Sequence, residues 1–207
     1  MVVAVFGGTG QLGRQVLELL VKRGHRPRVL VRSLLRLATN LPDEDIIEGD
    51  LRDPLVVART MNGASAVIST LAMADITKPA TDLSDNLRTI IREMRDASLT
   101  RLIAVGGASV FREQSDLPEY LLNVGAEHKR QWEYLKASQK DWTLVCPTFF
   151  NDDLSDSKYR VAREQLPEGS DAVMLHDIAE FIVDELERGE YLQTRVGIVS
   201  DIIVNED

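Results

Sequence analysis

Glycines crowd one short stretch near the start of the chain, Gly7-Gly8-Thr9-Gly10-Gln11-Leu12-Gly13. A turn of this composition lets backbone approach an anion closely. A helix opening behind it adds unpaired N–H groups and the positive end of its dipole, which together suit a pyrophosphate. The glycines fit two spacings, Gly7-x-x-Gly10-x-x-Gly13 and Gly8-x-Gly10-x-x-Gly13, and the spacing alone does not choose between them. About twenty residues beyond the turn, where sites for NAD place a carboxylate against the ribose hydroxyls, the chain reads Leu30-Val31-Arg32-Ser33 with no acid. Arg32 there can offer a planar fork of donors to a 2'-phosphate, and Ser33 a hydroxyl. Arg36 is a candidate for a second charge. These residues predict a nicotinamide-dinucleotide site that prefers NADP(H) to NAD(H).

Other chemically capable residues carry less. His25, His128 and His176 lie far apart and lack metal-ligand spacing. Cys146 sits in an apolar run, as a core residue does. Asp152, Asp153 and Asp156 fall in a polar loop, where aspartates form solvated turns. No metal site is expected.

The turn works only if a strand feeds it and a helix leaves it. Residues Val2 to Phe6 form an unbroken apolar run, the pattern of a strand covered on both faces. After the turn, Leu12, Val16, Leu19 and Leu20 recur at helical spacing, and Gly24 is a stop signal. Further strands are expected at 28–31, 45–48, 65–70, 101–105 and 142–146, the last ended by Pro147. Helices are expected at 53–61, around Leu83, Leu87, Ile90, Ile91 and Met94, and at 126–138. Residues 151–170 read as polar and turn-rich, followed by a helix at 177–186 and a strand at 195–200. Such alternation predicts an α/β fold with a doubly wound parallel sheet. It reads as one Rossmann domain over residues 1–207 with a small C-terminal extension.

Hydrophobic residues make up 44% and charged residues 28% of the 207, an ordinary globular balance. A net charge of -9 without a basic block argues against a nucleic-acid partner. No apolar run approaches the roughly 18 residues that would span a bilayer, which argues against a membrane partner. The lone cysteine and the absence of a charged-then-apolar leader lead us to expect a cytoplasmic protein.

The stretches VFGGTGQLG (5–13), LVRS (30–33), EGDLRD (48–53), LIAVGGASVF (102–111) and EYLKASQKDWTLVCPTFF (133–150) resemble the atypical short-chain dehydrogenases. Among these the chain is most similar to the proteins called NADH-flavin reductase-like or biliverdin-reductase-B-like. The resemblance covers nearly the whole chain. It implies the Gly7, Gly10, Gly13 reading, with Thr9, Gly10, Gln11 and Leu12 lining the pyrophosphate. It implies Asp50 and Leu51 beside the adenine, although Asp50 is equally readable as a helix cap. By the same resemblance Thr70, Leu71 and Ala72 flank the nicotinamide ribose, and Pro147, Thr148 and Phe149 lie near the nicotinamide ring.

Carbonyl-reducing members of that class use a serine after the fifth strand and a Tyr-x-x-x-Lys pair as a proton relay. Here Gly106-Gly107 follows the fifth strand, with Gly107 at the serine position, and Gly125 falls at the tyrosine position. Lys129 matches the lysine, and His128 beside it is a candidate weak proton donor. Carbonyl reduction produces an alkoxide that benefits from a positioned acid, whereas a flavin or quinone can take its remaining proton from solvent. The resemblance therefore implies an NAD(P)H-dependent oxidoreductase passing hydride to an aromatic acceptor of flavin or quinone type. A non-catalytic NADP(H) sensor of NmrA-like type is the alternative, and a nucleotide-sugar epimerase is disfavoured by the missing tyrosine.

Overall fold

The computed structural model describes residues 1–34, 41–151, 157–169 and 172–202. Strand β1 (Val2–Phe6) runs into the glycine turn and helix α1 (Gln11–Lys22), followed by β2 (Arg26–Val31) and β3 (Ile46–Glu48). Helix α2 (Pro54–Met61), β4 (Ala66–Ser69), α3 (Asp82–Asp96) and β5 (Arg101–Val105) come next. The chain closes with α4 (Leu122–Ala137), β6 (Asp141–Pro147), β7 (Phe149–Asn151), β8 (Ser157–Arg163), β9 (Ala172–Met174), α5 (Leu175–Arg188) and β10 (Thr194–Ile202).

Eight strands form one sheet in the order β3-β2-β1-β4-β5-β6-β10-β8. The order reverses between β1 and β4, and in open α/β sheets such a reversal opens a crevice at the carboxyl ends of the strands. Because successive strand residues face opposite sides, an all-apolar strand fills two cores. Val3 and Val5 pack with Leu12, Val16 and Leu20 of α1 and Ile178 and Ile182 of α5. Ala4 and Phe6 pack with Met61, Leu87, Ile90 and Met94 on the other face. The glycine turn is thus held from below by a strand whose residues Val3 to Phe6 are buried.

The expected doubly wound, mainly parallel sheet is present, with one antiparallel strand, β8, beside β10 at its edge. Some element bounds differ from expectation. Residues 151–170 had read as loop because β8 alternates half-buried Tyr159 and Val161 with exposed Lys158 and Arg160. Edge strands carry such charges where one face meets water. A separate two-stranded sheet joins β7 to β9. Strand β2 starts two residues early, since Pro27 pairs with Val3 of β1 while β3 reaches only Val29 to Val31. On that unpaired side Pro27 has no neighbour to miss its N–H. Helix α4 begins at Leu122, four residues ahead of expectation, and runs through Gly125.

Candidate functional site

At the turn each glycine has its own reason. Gly7 sits at φ +97°, a region that side chains resist, and a Cβ there would meet Thr70 Oγ1 at 2.7 Å. A Cβ on Gly13 would come within 2.8 Å of the Gly7 carbonyl carbon and Gly8 Cα, so that glycine lets α1 rest on the turn. Gly8 packs against Val29 and Leu17 instead. Gly10 differs from all three: the nearest atom to a Cβ there is the Gly7 oxygen at 3.5 Å, ordinary contact. A Cβ at position 10 would therefore meet only ordinary contact within the fold.

Gly10 is also the N-cap of α1 and supplies no side-chain cap; the first intrahelical bond runs from Arg14 N–H to Gly10 O at 3.0 Å. The N–H groups of Gln11, Leu12 and Gly13 therefore face outward without helical partners, beside half-buried Thr9 and exposed Gln11. Uncapped donors, a positive dipole end and open space are the requirements of a diphosphate.

The ends of β2 and β3 meet beside this turn, where Gly49 N–H donates to Val31 O at 2.9 Å. Arg32 is exposed and Ser33 half-buried, and Arg32 makes no salt bridge among the described residues. Asp50 does not cap α2; Asp53 does, accepting from Leu55 N–H at 3.0 Å. Asp50 instead binds the Arg52 guanidinium at 2.6 Å and its backbone N–H at 2.8 Å. Those bonds, with Arg32 contributing through space, hold its pKa down at about 2. Leu51 packs at the edge of the core, and Arg36 lies outside the described residues.

Thr70, at the end of β4, donates its N–H to Phe6 O at 2.8 Å and so pins itself behind Gly7. Leu71 is half-buried and Ala72 exposed. At the end of β5, Gly106 N–H donates to Val145 O at 2.8 Å, and Gly107 follows in extended conformation. The imidazole of His128 lies against Gly107, and its Nδ1 is 3.1 Å from Ser109 Oγ. Burial pushes the His128 pKa down to about 4, so the ring is neutral at physiological pH. The place a side chain at Gly125 would take is filled by Leu117. Lys129, one residue beyond His128, is exposed and lines a cavity together with Ser109.

Strand β6 ends on buried Pro147, which is followed by Thr148, whose Oγ1 is buried with no hydrogen-bond partner among the described residues. A buried hydroxyl without a partner awaits one. Phe149 and Phe150 are 61% and 53% exposed, outside the packed core.

Sequence reasoning missed a cavity of about 220 Å³ between residues 108–117 and α4, walled by Ser109, Phe111, Lys129, Trp132 and Arg195. Arg195 lies with its guanidinium 3.8 Å from the Trp132 ring centre. Nothing in the local pattern pairs these two residues, which come from β10 and α4. The remaining histidines stay apart from the site: His25 binds Glu187 at 2.9 Å and His176 lies 3.2 Å from Asp177. Cys146 is buried, and burial raises its thiol pKa far above the usual range. Among the described residues no group of three or more potential metal ligands comes together, and no helix is long and apolar enough to cross a membrane. Asp152, Asp153 and Asp156 lie outside those residues.

Residues 7–188 match the NAD(P)H-binding family. The chain is 27% identical over 221 residues to the uncharacterized protein YwnB of Bacillus subtilis, a match spanning 97% of this chain and 99% of that one. A candidate NADH-flavin reductase of Streptococcus pneumoniae has a TM-score of 0.79 at 24% identity, covering 97% of this chain and 100% of that chain. A wide-type short-chain dehydrogenase/reductase of Veillonella parvula, solved in complex with NADP, has a TM-score of 0.71 at 18% identity, covering 96% and 94%. At these identities the two solved structures share the fold.

Proposed function

Since the chain belongs to the NAD(P)H-binding family, we propose that it is an NAD(P)H-dependent oxidoreductase that passes hydride to a flavin-like or quinone-like acceptor without a Ser-Tyr-Lys relay. The observation that carries this reading is the occupation of both relay positions. His128 fills the space beside Gly107, and Leu117 fills the space beside Gly125. No hydroxyl can be restored at either without moving a neighbour.

The chain's residues fit a dinucleotide. Gly10 and the free N–H groups of Gln11, Leu12 and Gly13 would hold the pyrophosphate, with Thr9 alongside. Arg32 and Ser33 would face the adenine ribose, Asp50 and Leu51 the adenine, and Thr70, Leu71 and Ala72 the second ribose. Thr148, with its orphaned hydroxyl, and Gly106, Gly107 and Pro147 would border the nicotinamide. When bound, the nicotinamide supplies hydride. The protein's part is to orient two flat rings and to exclude water, with exposed Phe149 and Phe150 available to cover an aromatic acceptor.

After hydride transfer the acceptor's one remaining proton comes from solvent in this reading. A neutral His128 with a pKa near 4 is not an acid reservoir at pH 7. Lys129 donates no proton in this reading. A cytoplasmic setting belongs to the same reading, supported by the lone, buried Cys146.

Anaerobic mixing of the protein with NADPH and a panel of flavins, quinones, ketones and aldehydes, followed by nicotinamide absorbance, tests the proposal. Turnover with flavins or quinones and little with simple carbonyls is expected. Tight NADPH binding with no turnover would instead make the chain a dinucleotide sensor, and fast ketone reduction would overturn the missing relay.

A further inference from the structure

The cavity beside α4 is lined by charged residues that are mostly basic, on a chain that is acidic as a whole. On a chain of net charge -9, its lining includes Arg112, Lys129 and Arg195 against a single acid, Glu113. Arg112 and Lys129 are exposed and form no ion pair among the described residues. Arg195 is held rigidly: its Nε donates to Glu164 at 2.8 Å, its Nη1 to Val110 O at 2.9 Å, and its guanidinium plane covers Trp132. Glu164 balances the charge of Arg195. With Arg195 balanced, Arg112 and Lys129 against Glu113 leave one unbalanced positive charge at the cavity.

Size narrows the occupant. A pocket for a whole drug-sized ligand runs to roughly 300 Å³ or more, whereas this one measures about 220 Å³. It suits the end of a molecule rather than all of it. Its position says which end: Ser109 lines the cavity and is hydrogen-bonded to His128, which itself lies against Gly107. The cavity is thus one side chain removed from the ring-binding region assigned above.

We propose that this cavity is a subsite for the phosphate or carboxylate of the hydride acceptor, recognised by Arg112 and Lys129 with Arg195 and Trp132 as its rigid wall. The proposal rests on the reductase reading and adds the substrate class, a flat conjugated acceptor with an anionic tail. Hydride moves from the nicotinamide to the acceptor ring, one proton follows from solvent, and the anionic group takes no part in bond making.

FMN and riboflavin share a ring system and differ by one phosphate, so they form the test. Wild-type protein should show a KM for FMN lower than for riboflavin by about tenfold or more, the scale of one charge-assisted hydrogen bond. The double variant Arg112→Ala/Lys129→Ala, altered only at exposed positions, should bring the ratio close to one. Calorimetry with FMN in the absence of NADPH should show the same loss of affinity. Competition by inorganic phosphate or by acetate against FMN then tells which anion the site prefers, and competition by neither speaks against the subsite. Flavin turnover with equal KM values for FMN and riboflavin overturns the subsite and leaves the reductase reading standing. FMN binding that depends on Arg112 and Lys129, with no turnover of any acceptor, does the reverse.

Discussion

His128 stands against Gly107, with a Cβ built on that glycine lying 2.5 Å from the imidazole Cε1 and 2.7 Å from Nδ1. The ring occupies the space that a side chain at position 107 would need. Gly107→Ser should therefore cost about 1 to 3 kcal/mol through overpacking, and His128→Ala in the same chain should recover most of it. Urea denaturation of the two variants checks this. Full stability of the single variant would mean that the ring is free to leave.

The same burial makes stability depend on pH. The folded-state pKa of His128 is depressed to about 4 from an ordinary 6.5, so between those values the unfolded chain binds the extra proton. Its contribution to stability is complete above the unfolded pKa and is lost as pH falls from about 6.5 towards about 4. A His128→Gln variant should lose less stability over that interval than the wild type does. Parallel urea titrations at the two ends of the interval measure the difference, and identical pH dependence would contradict the assignment to His128.

Much of this was legible in the sequence, for physical reasons that differ by region. The strand, turn and helix around Gly7 to Gly13 are written in local signals, an apolar run and then a 3.6-residue period, and they recur as β1 and α1. Strand β8 was hidden because its outward positions carry Lys158 and Arg160, which read as loop until β10 is seen to pair with it. The bounds of α4 slipped because Gly125 looks like a helix breaker unless Leu117 is known to pack against it. The stacking of Arg195 on Trp132 is a purely tertiary contact, so no periodicity could announce the cavity. Thr148 was reached through resemblance, whereas its unpartnered hydroxyl is visible only once burial is known.

Gly10 and Gly13 should separate binding from folding. A Cβ at Gly10 meets nothing closer than 3.5 Å beyond its chain neighbours, while one at Gly13 runs into the backbone of Gly7 and Gly8. Gly10→Val should keep its thermal unfolding close to wild type and lose measurable NADPH binding in calorimetry. Gly13→Ala should lower the unfolding temperature markedly before binding is considered, since backbone atoms cannot step aside cheaply. Unchanged NADPH affinity in folded Gly10→Val would remove the turn as the pyrophosphate site.

Cofactor preference turns on the end of β2. Val31, the last residue of that strand, pairs with Glu48, and the chain continues into exposed Arg32 and then Ser33. Asp50, which Arg32 reaches through space, is already engaged: it is bidentate to Arg52, with contacts of 3.0 and 2.6 Å, and is held in its ionised form well below the usual carboxylate range. A carboxylate so committed repels a 2'-phosphate less than a free one, and it leaves Arg32 without a salt bridge among the described residues. Arg32 can then meet the phosphate of NADP as a charge-assisted donor, a contact that NAD does not offer. Arg32→Ala should weaken NADPH binding by about 1.5 to 3 kcal/mol and change NADH binding far less. Arg52→Ala should act through Asp50, because the released carboxylate turns repulsive, and so should lower NADPH affinity without affecting NADH in proportion. Titration of both cofactors against wild type and the two variants decides the matter: equal losses for NADPH and NADH would show that Arg32 does not read the phosphate, and a wild-type preference for NADH would overturn the assignment.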